Sequence, residues 1–166
     1  MEIVFVKQYK AVGGIIVSKK TGNVLTLLRS KKESYPNTWT FCGGKLENDE
    51  HEHEALLREM KEELGLVKVN KVIPFHRYQS RTKDFIYDTF IVLVDREFVP
   101  DLDWENSGYA WTPITNLPSP LHVKTRQMLS NSRLIKKFET FCQWIDKKNG
   151  SRDISVPKET DKTSSS

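Results

Sequence analysis

Gly44-Lys45-Leu46-Glu47-Asn48-Asp49-Glu50-His51-Glu52-His53-Glu54-Ala55-Leu56-Leu57-Arg58-Glu59-Met60-Lys61-Glu62-Glu63-Leu64-Gly65-Leu66 is the stretch from which the rest of the chain can be read. Its spacing predicts a helix from about Glu50 to Leu64. Asp49 stands where a cap belongs, and Glu52 three residues on completes a D-x-x-E capping box. Gly65 is the residue type that closes helices in the left-handed conformation. At about 100° per residue, Leu56, Leu57, Met60 and Leu64 share one side. Glu59, Glu62 and Glu63 follow the i, i+3, i+4 spacing, which brings three carboxylates together on another side, with Glu52 and the small Ala55 on the same stripe.

Like charges at this spacing destabilise a helix by a few tenths of a kcal/mol per pair. A divalent cation would offset that repulsion, and carboxylate oxygens are the hard donors that Mg2+ or Mn2+ prefer. A solvated acidic face is the plainer reading of such a run. The glycines at both ends and the arginine within it favour a site.

The chain has 166 residues, 37% hydrophobic, enough for one domain with a substantial core. The apolar run Phe90 to Val94 is far too short to span a bilayer. Met1-Glu2-Ile3 begins no basic-then-apolar signal, and Cys42 and Cys142 form no C-x-x-C pair. Both point to a cytoplasmic protein with reduced thiols. The formal net charge is +4, much of it late in the chain at Lys124, Arg126, Arg133, Lys136, Lys137, Lys147 and Lys148. That excess suits anionic partners and leaves RNA open as one, without an RNA-binding signature to support it.

Val12 to Val17 and Val24 to Leu28 read as strands joined by a turn at Lys19 to Asn23. Trp39 to Cys42 is a short strand running into Gly43-Gly44, and Lys68 to Ser80 and Asp84 to Val94 are two more. Pro100 to Ser107 reads as an acidic loop before a strand at Tyr109 to Thr112. Val123 to Lys147 patterns as a single helix, with Met128, Leu129, Leu134, Phe138, Phe141, Cys142 and Ile145 inward. Residues 1–149 are expected to form a single domain, and 150–166 a polar, disordered tail.

The fixed positions Gly44, Glu50, Arg58, Glu59, Met60, Glu62, Glu63, Gly65 and Leu66 match G-x5-E-x7-R-E-U-x-E-E-x-G-U, with U apolar, at every place. The chain thereby resembles the MutT-like Nudix hydrolases over roughly residues 10 to 145. Trp39-Thr40-Phe41-Cys42-Gly43-Gly44-Lys45 is similar to their W-x-F-P-G-G-K segment, with Cys42 in place of proline. The resemblance implies an α/β/α sandwich with a mixed central sheet and a loop-helix-loop motif. It further implies Mg2+- or Mn2+-dependent hydrolysis of a pyrophosphate bond in a nucleoside diphosphate linked to another moiety.

Carried over residue by residue, the implied metal ligands are the Gly43 carbonyl, Glu59, Glu62, Glu63 and Glu105, the last placed by its spacing before Trp111. Glu63 or Glu105 would be the base. Arg58 would orient a box glutamate, and Glu50 would support the loop. Arg29, Phe41 and Lys45 would face substrate, and Tyr78, Tyr87, Trp39 or Trp111 could stack on a base. A nucleotide-derived small molecule is the expected partner. RNA 5′-end hydrolysis, non-catalytic nucleotide sensing and a homodimer stay open at this point.

Overall fold

The structure is a computed structural model that describes residues 7–66 and 68–150. Of the tail expected over 150–166, Gly150 ends the last helix and the rest lies outside the described residues, as does Val67. Strands β1 (Tyr9–Ser18), β2 (Val24–Arg29), β3 (Trp39–Thr40) and β4 (Cys42–Lys45) precede helix α1 (Glu52–Leu64). Then come β5 (Lys71–Gln79), β6 (Phe85–Val94), β7 (Asn106–Thr112), a 3-10 turn at Ile114–Asn116, α2 (Val123–Leu129) and α3 (Ser132–Gly150).

The strands form one mixed sheet in the order β3-β2-β1-β6-β5, with β4 paired to β1 and β7 to β2. β1 and β6 run parallel from Tyr9↔Phe85 to Ser18↔Val94, and the other pairings between these strands are antiparallel. Both central strands are near-continuous apolar runs because both of their faces are covered. Period two divides β1 between two cores. Val12 and Ile16 pack with Leu56, Met60 and Leu64 of α1, while Ile15 and Val17 pack with Phe138 and Ile145 of α3. The result is the expected α/β/α sandwich. Fully burying each of Leu56, Met60 and Leu64 stabilises it by roughly 1.5–3 kcal/mol.

Helix α1 begins later than its pattern implies. His51 is the cap residue, in a capping box with Glu54, whose Oε2 accepts from the His51 backbone N–H at 3.0 Å. Asp49 is instead a left-handed loop residue with φ 61°. The C-terminal expectation is met: Gly65 is left-handed (φ 65°), and its N–H reaches back to the Lys61 carbonyl. Leu57 is 46% exposed, because the inward face is centred on Ala55, Leu56, Glu59, Met60, Glu63 and Leu64. Two of the box carboxylates therefore sit on the buried face, not on a separate acidic side.

The late helix is broken in two. Ser130 caps the end of α2, and the Asn131 side chain accepts from the Arg133 and Leu134 N–H groups, starting α3 afresh. β7 starts three residues before the expected Tyr109, taking in Asn106-Ser107-Gly108, which patterned as loop. Trp39 to Cys42 is likewise two strands, one on each side of Phe41, because Trp39–Thr40 pairs with β2 and Cys42–Lys45 with β1. Among the described residues no helix is long and apolar enough to cross a membrane.

Candidate active site

Gly43 and Gly44 let β4 approach two things at once. A Cβ on Gly43 would stand 2.2 Å from the Val12 carbonyl, and one on Gly44 would stand 2.1 Å from Glu59 Oε1. Backbone and carboxylate are in direct apposition, so the strand is thinned where α1 presents its acids.

Glu63 is 4% exposed and held from two strands. The Gly43 N–H donates to its Oε1 at 2.9 Å, and the Asn106 side-chain amide donates to its Oε2 at 2.9 Å. The Cys42 thiol also lies against Oε1, at 3.7 Å. Burial pushes the Glu63 carboxyl up to about 8, although the Gly43 and Asn106 donors pull the other way. Burial likewise raises Glu59, which is 8% exposed, against the lowering effect of Arg58. The thiol of Cys42 is pushed well up by its burial and then by Glu63.

Arg58 ties the motif together. Its guanidinium donates to Glu50 at 2.8 and 3.0 Å, to Glu59 at 2.9 Å, to Glu62 at 3.2 Å and to the Lys45 carbonyl at 2.9 Å. Its bonds to Glu50 hold the guanidinium protonated beyond even the ordinary arginine range, and Arg58 in turn keeps Glu50 ionised. Glu50 also accepts the Glu47 N–H, so one arginine fastens the loop to the helix.

Glu62 departs from the expected convergence. Its side chain is 54% exposed and turned to Arg58, while Glu59 and Glu63 point inward. Among the described residues, no three acidic, histidine or cysteine side chains already stand close enough to hold an ion. The donor chemistry nonetheless fits one: two desolvated carboxylates, Glu59 held by Arg58 and Glu63 by Gly43 and Asn106, keep hard oxygen lone pairs beside the exposed Glu62.

The loop before β7 supplies Glu105. Its N–H donates to Asp103 Oδ1 at 3.0 Å, and its carbonyl accepts the Ser30 N–H at 2.7 Å, so its backbone is pinned. Its carboxylate accepts no hydrogen bond from the described residues. Burial raises it first, then Asp103, with Glu33 and Glu59 adding to the effect, so it shares an electrostatic neighbourhood with the box acids. Asp101 is elsewhere, against Gly65 at the end of α1.

The substrate-side residues are placed unevenly. Arg29 is held by Glu33 at 2.7 Å and by Ser34. Lys45 lends its carbonyl to Arg58 and leaves its side chain exposed. Phe41, expected on the substrate side, is 7% exposed and packs in the core between the sheet and α3. Trp111 is also a packing residue, edge-on to Phe98 and bonded to its carbonyl. Asn106, which the strand pattern did not single out, is a centre of the site.

A separate cavity of about 390 Å³ opens at the other end of α1, beside Glu52, His53, Phe75, His76 and Arg77. Glu52 is seven residues from Glu59, on the order of 10 Å along the helix. Arg77 there is neutralised by Asp88 at 2.7 and 2.8 Å.

The raised carboxyls give a pH signature with a definite sign. A carboxyl whose folded value lies above its unfolded one favours folding when protonated. For Glu63 that stability is complete below the ordinary carboxylate range and is lost as pH rises towards about 8. The loss is on the order of 5 kcal/mol at most. Chelator-treated protein should therefore unfold more easily at pH 8 than at pH 5.5 in denaturant titrations, and Glu63→Gln should flatten the slope. A profile that rises over this range, or one unchanged in the variant, contradicts the burial of a charged Glu63.

Comparison with known proteins agrees with this geometry. The NUDIX domain model matches residues 7–132. A CTP pyrophosphohydrolase of Escherichia coli is 38% identical over 60 residues, 36% of this chain and 43% of that protein. This chain thus aligns with less than half the length of that relative. An RNA pyrophosphohydrolase of Nitratiruptor is 28% identical over 127 residues, 67% of this chain and 82% of its own length. In the crystal structure of a MutT NUDIX hydrolase from Burkholderia pseudomallei, the fold superposes with a TM-score of 0.62 at 21% identity, covering 76% of this chain and 98% of that one. The complete box, the sandwich that carries it and the match over residues 7–132 agree: the chain belongs to the NUDIX domain family.

Proposed function

We propose that this chain hydrolyses a pyrophosphate bond in a nucleoside diphosphate linked to another moiety, by attack of water at phosphorus with Mg2+ or Mn2+ bound. The observation that carries this reading is the pair of desolvated carboxylates, Glu59 and Glu63, facing a glycine-thinned strand beside the more exposed Glu62. Glu59, Glu62 and Glu63, with the Gly43 carbonyl and Glu105, would hold the cation. When bound, the cation neutralises charge on the phosphate oxygens and lowers the pKa of water.

The chain's own groups divide the remaining work. Glu63 has donors on both of its oxygens, which suits a ligand held in one orientation. Glu105 has a pinned backbone and a carboxylate unengaged by the described residues, which suits a base that takes the proton from the attacking water. Arg58 orients Glu59 and Glu62. Arg29 and Lys45 would bind phosphate, and Arg29 would have to exchange its Glu33 partner to do so.

If Glu105 is that base, Glu105→Gln should lower kcat at least 100-fold with KM changed only a few-fold, since such a group acts on the transition state more than the ground state. Asp103→Asn keeps the acceptor that anchors the Glu105 N–H and should be mild. A silent Glu105→Gln in steady-state kinetics would move the base to Glu63.

The substrate is tested with a panel of ADP-ribose, dinucleoside polyphosphates, nucleotide sugars, CTP, 8-oxo-dGTP and 5′-triphosphorylated RNA, followed by product chromatography. The RNA relative and the basic residues of α2 and α3 support a second reading, 5′-end hydrolysis of RNA. Preference for the RNA by more than 10-fold in kcat/KM over every free nucleotide would favour it.

A further inference from the structure

We propose that Asn106 is a positioning residue of the carboxylate centre: its amide holds Glu63 Oε2 and sets the direction in which Glu63 meets the divalent cation. The inference rests on Glu63 being a ligand of that cation.

Asn106 is 7% exposed, and Glu63 is 4% exposed. Their bond of 2.9 Å is buried and joins residues 43 apart in sequence. With the Gly43 N–H on Oε1, the carboxylate is gripped from β4 on one side and β7 on the other. A carboxylate held at both oxygens has little rotation left, so its free lone pairs keep a fixed aim.

The backbone is arranged to deliver this amide. Along β7, period two puts Trp111 and Tyr109 on one face and Asn106 on the opposite one. Trp111 packs into the core beneath α1. Asn106 would then face away from α1, yet it bonds to α1. The reason is a β-bulge: Leu28 pairs with Gly108 and Arg29 with Asn106, so Ser107 is an extra residue and the alternation reverses. Bulges commonly re-aim a side chain in this way. The bulge is also braced, with the Glu105 carbonyl on the Ser30 N–H and the Glu105 N–H on Asp103. The amide is thus set by backbone geometry before any ligand arrives.

The residue type matters as well. A carboxylate needs a donor, which Asn106 supplies through Nδ2. An aspartate at this place would add a negative charge beside Glu63 and Asp103, which lies 3.5 Å from the same amide nitrogen.

The test is a double-mutant cycle on Mn2+ affinity, read by electron paramagnetic resonance titration of the full chain without substrate, with folding monitored by circular dichroism. Asn106→Ala should weaken Mn2+ binding by about 10-fold or more, as loss of a group that orients a ligand typically does. Asn106→Ser, which keeps a shorter donor, should recover part of the loss and serves as the folded comparison if the alanine variant unfolds. In a Glu63→Gln background, Asn106→Ala should add little, because its effect passes through Glu63. Wild-type Mn2+ affinity in folded Asn106→Ala, Asn106→Ser no better than a folded Asn106→Ala, or the full loss repeated on Glu63→Gln, overturns the proposal while leaving Glu63 a ligand. If Glu63→Gln alone binds Mn2+ like the wild type, the ligand assignment fails and this inference fails with it.

Discussion

Glu63→Gln is expected to lower turnover by a factor on the order of 10³ or more, and at the same time to make the metal-free protein harder to unfold above neutral pH. The two effects have one cause. Glu63 is a carboxylate that burial holds up to about 8, so its charge is costly until a cation neutralises it. Glutamine removes the cost and the ligand together. It keeps one acceptor for the Gly43 N–H, and the Asn106 amide can rotate to offer its oxygen to the new NH2 group. The packing therefore survives. A variant that is inactive and less stable at pH 8 would mean that Glu63 serves the fold and not the chemistry.

Arg58→Lys is the second large effect, and its direction is the opposite on stability. The guanidinium donates to Glu50, Glu59, Glu62 and the Lys45 carbonyl with its side chain only 22% exposed. A lysine ammonium is a point charge with three donors and cannot span that fan of acceptors. Glu59 would keep its burial and lose the bond that holds it, and the loop through Glu50 would come loose from α1. The expected cost is about 2–4 kcal/mol, or roughly 4–16 °C in Tm for a domain of this size. Turnover should fall at least 10-fold, because Glu59 and Glu62 lose their common support. Differential scanning fluorimetry and initial rates check both. A Tm within 2 °C of wild type would show that the fan is a surface network of little weight.

Much of the fold was legible because local and global signals agreed. The box spells out a helix ended by Gly65, and the apolar runs Val12 to Val17 and Phe90 to Val94 could only be buried strands. What was not legible depends on tertiary choices. His51 displaced Asp49 as the cap because the loop turns through a left-handed Asp49 before the helix begins. The break at Ser130-Asn131 is made by one side-chain cap, which competes evenly with helix continuation in a sequence that is otherwise periodic. Phe41 went to the core because a strand residue between two pairing partners must face one layer or the other.

The site followed the same division. Glu59, Glu62, Glu63 and Arg58 were readable from spacing, but not that Glu59 and Glu63 would lie on the inward face while Glu62 turns out. Asn106 was hidden because it patterned as loop, whereas β7 begins at it and the bulge at Ser107 turns its side chain to the α1 face. One signal could have found it: a polar residue next to Glu105, in a segment expected to approach the box.

The central claim is that buried carboxylates and a divalent cation together cleave a pyrophosphate. Its most direct test is product analysis by phosphorus NMR on the panel substrate with the highest turnover, using the wild type with Mg2+ or Mn2+, the wild type in chelator, and Glu63→Gln with metal. Cleavage at the phosphoanhydride only in the first sample is the expected result. Equal product in chelator, or equal product from Glu63→Gln, would contradict the account.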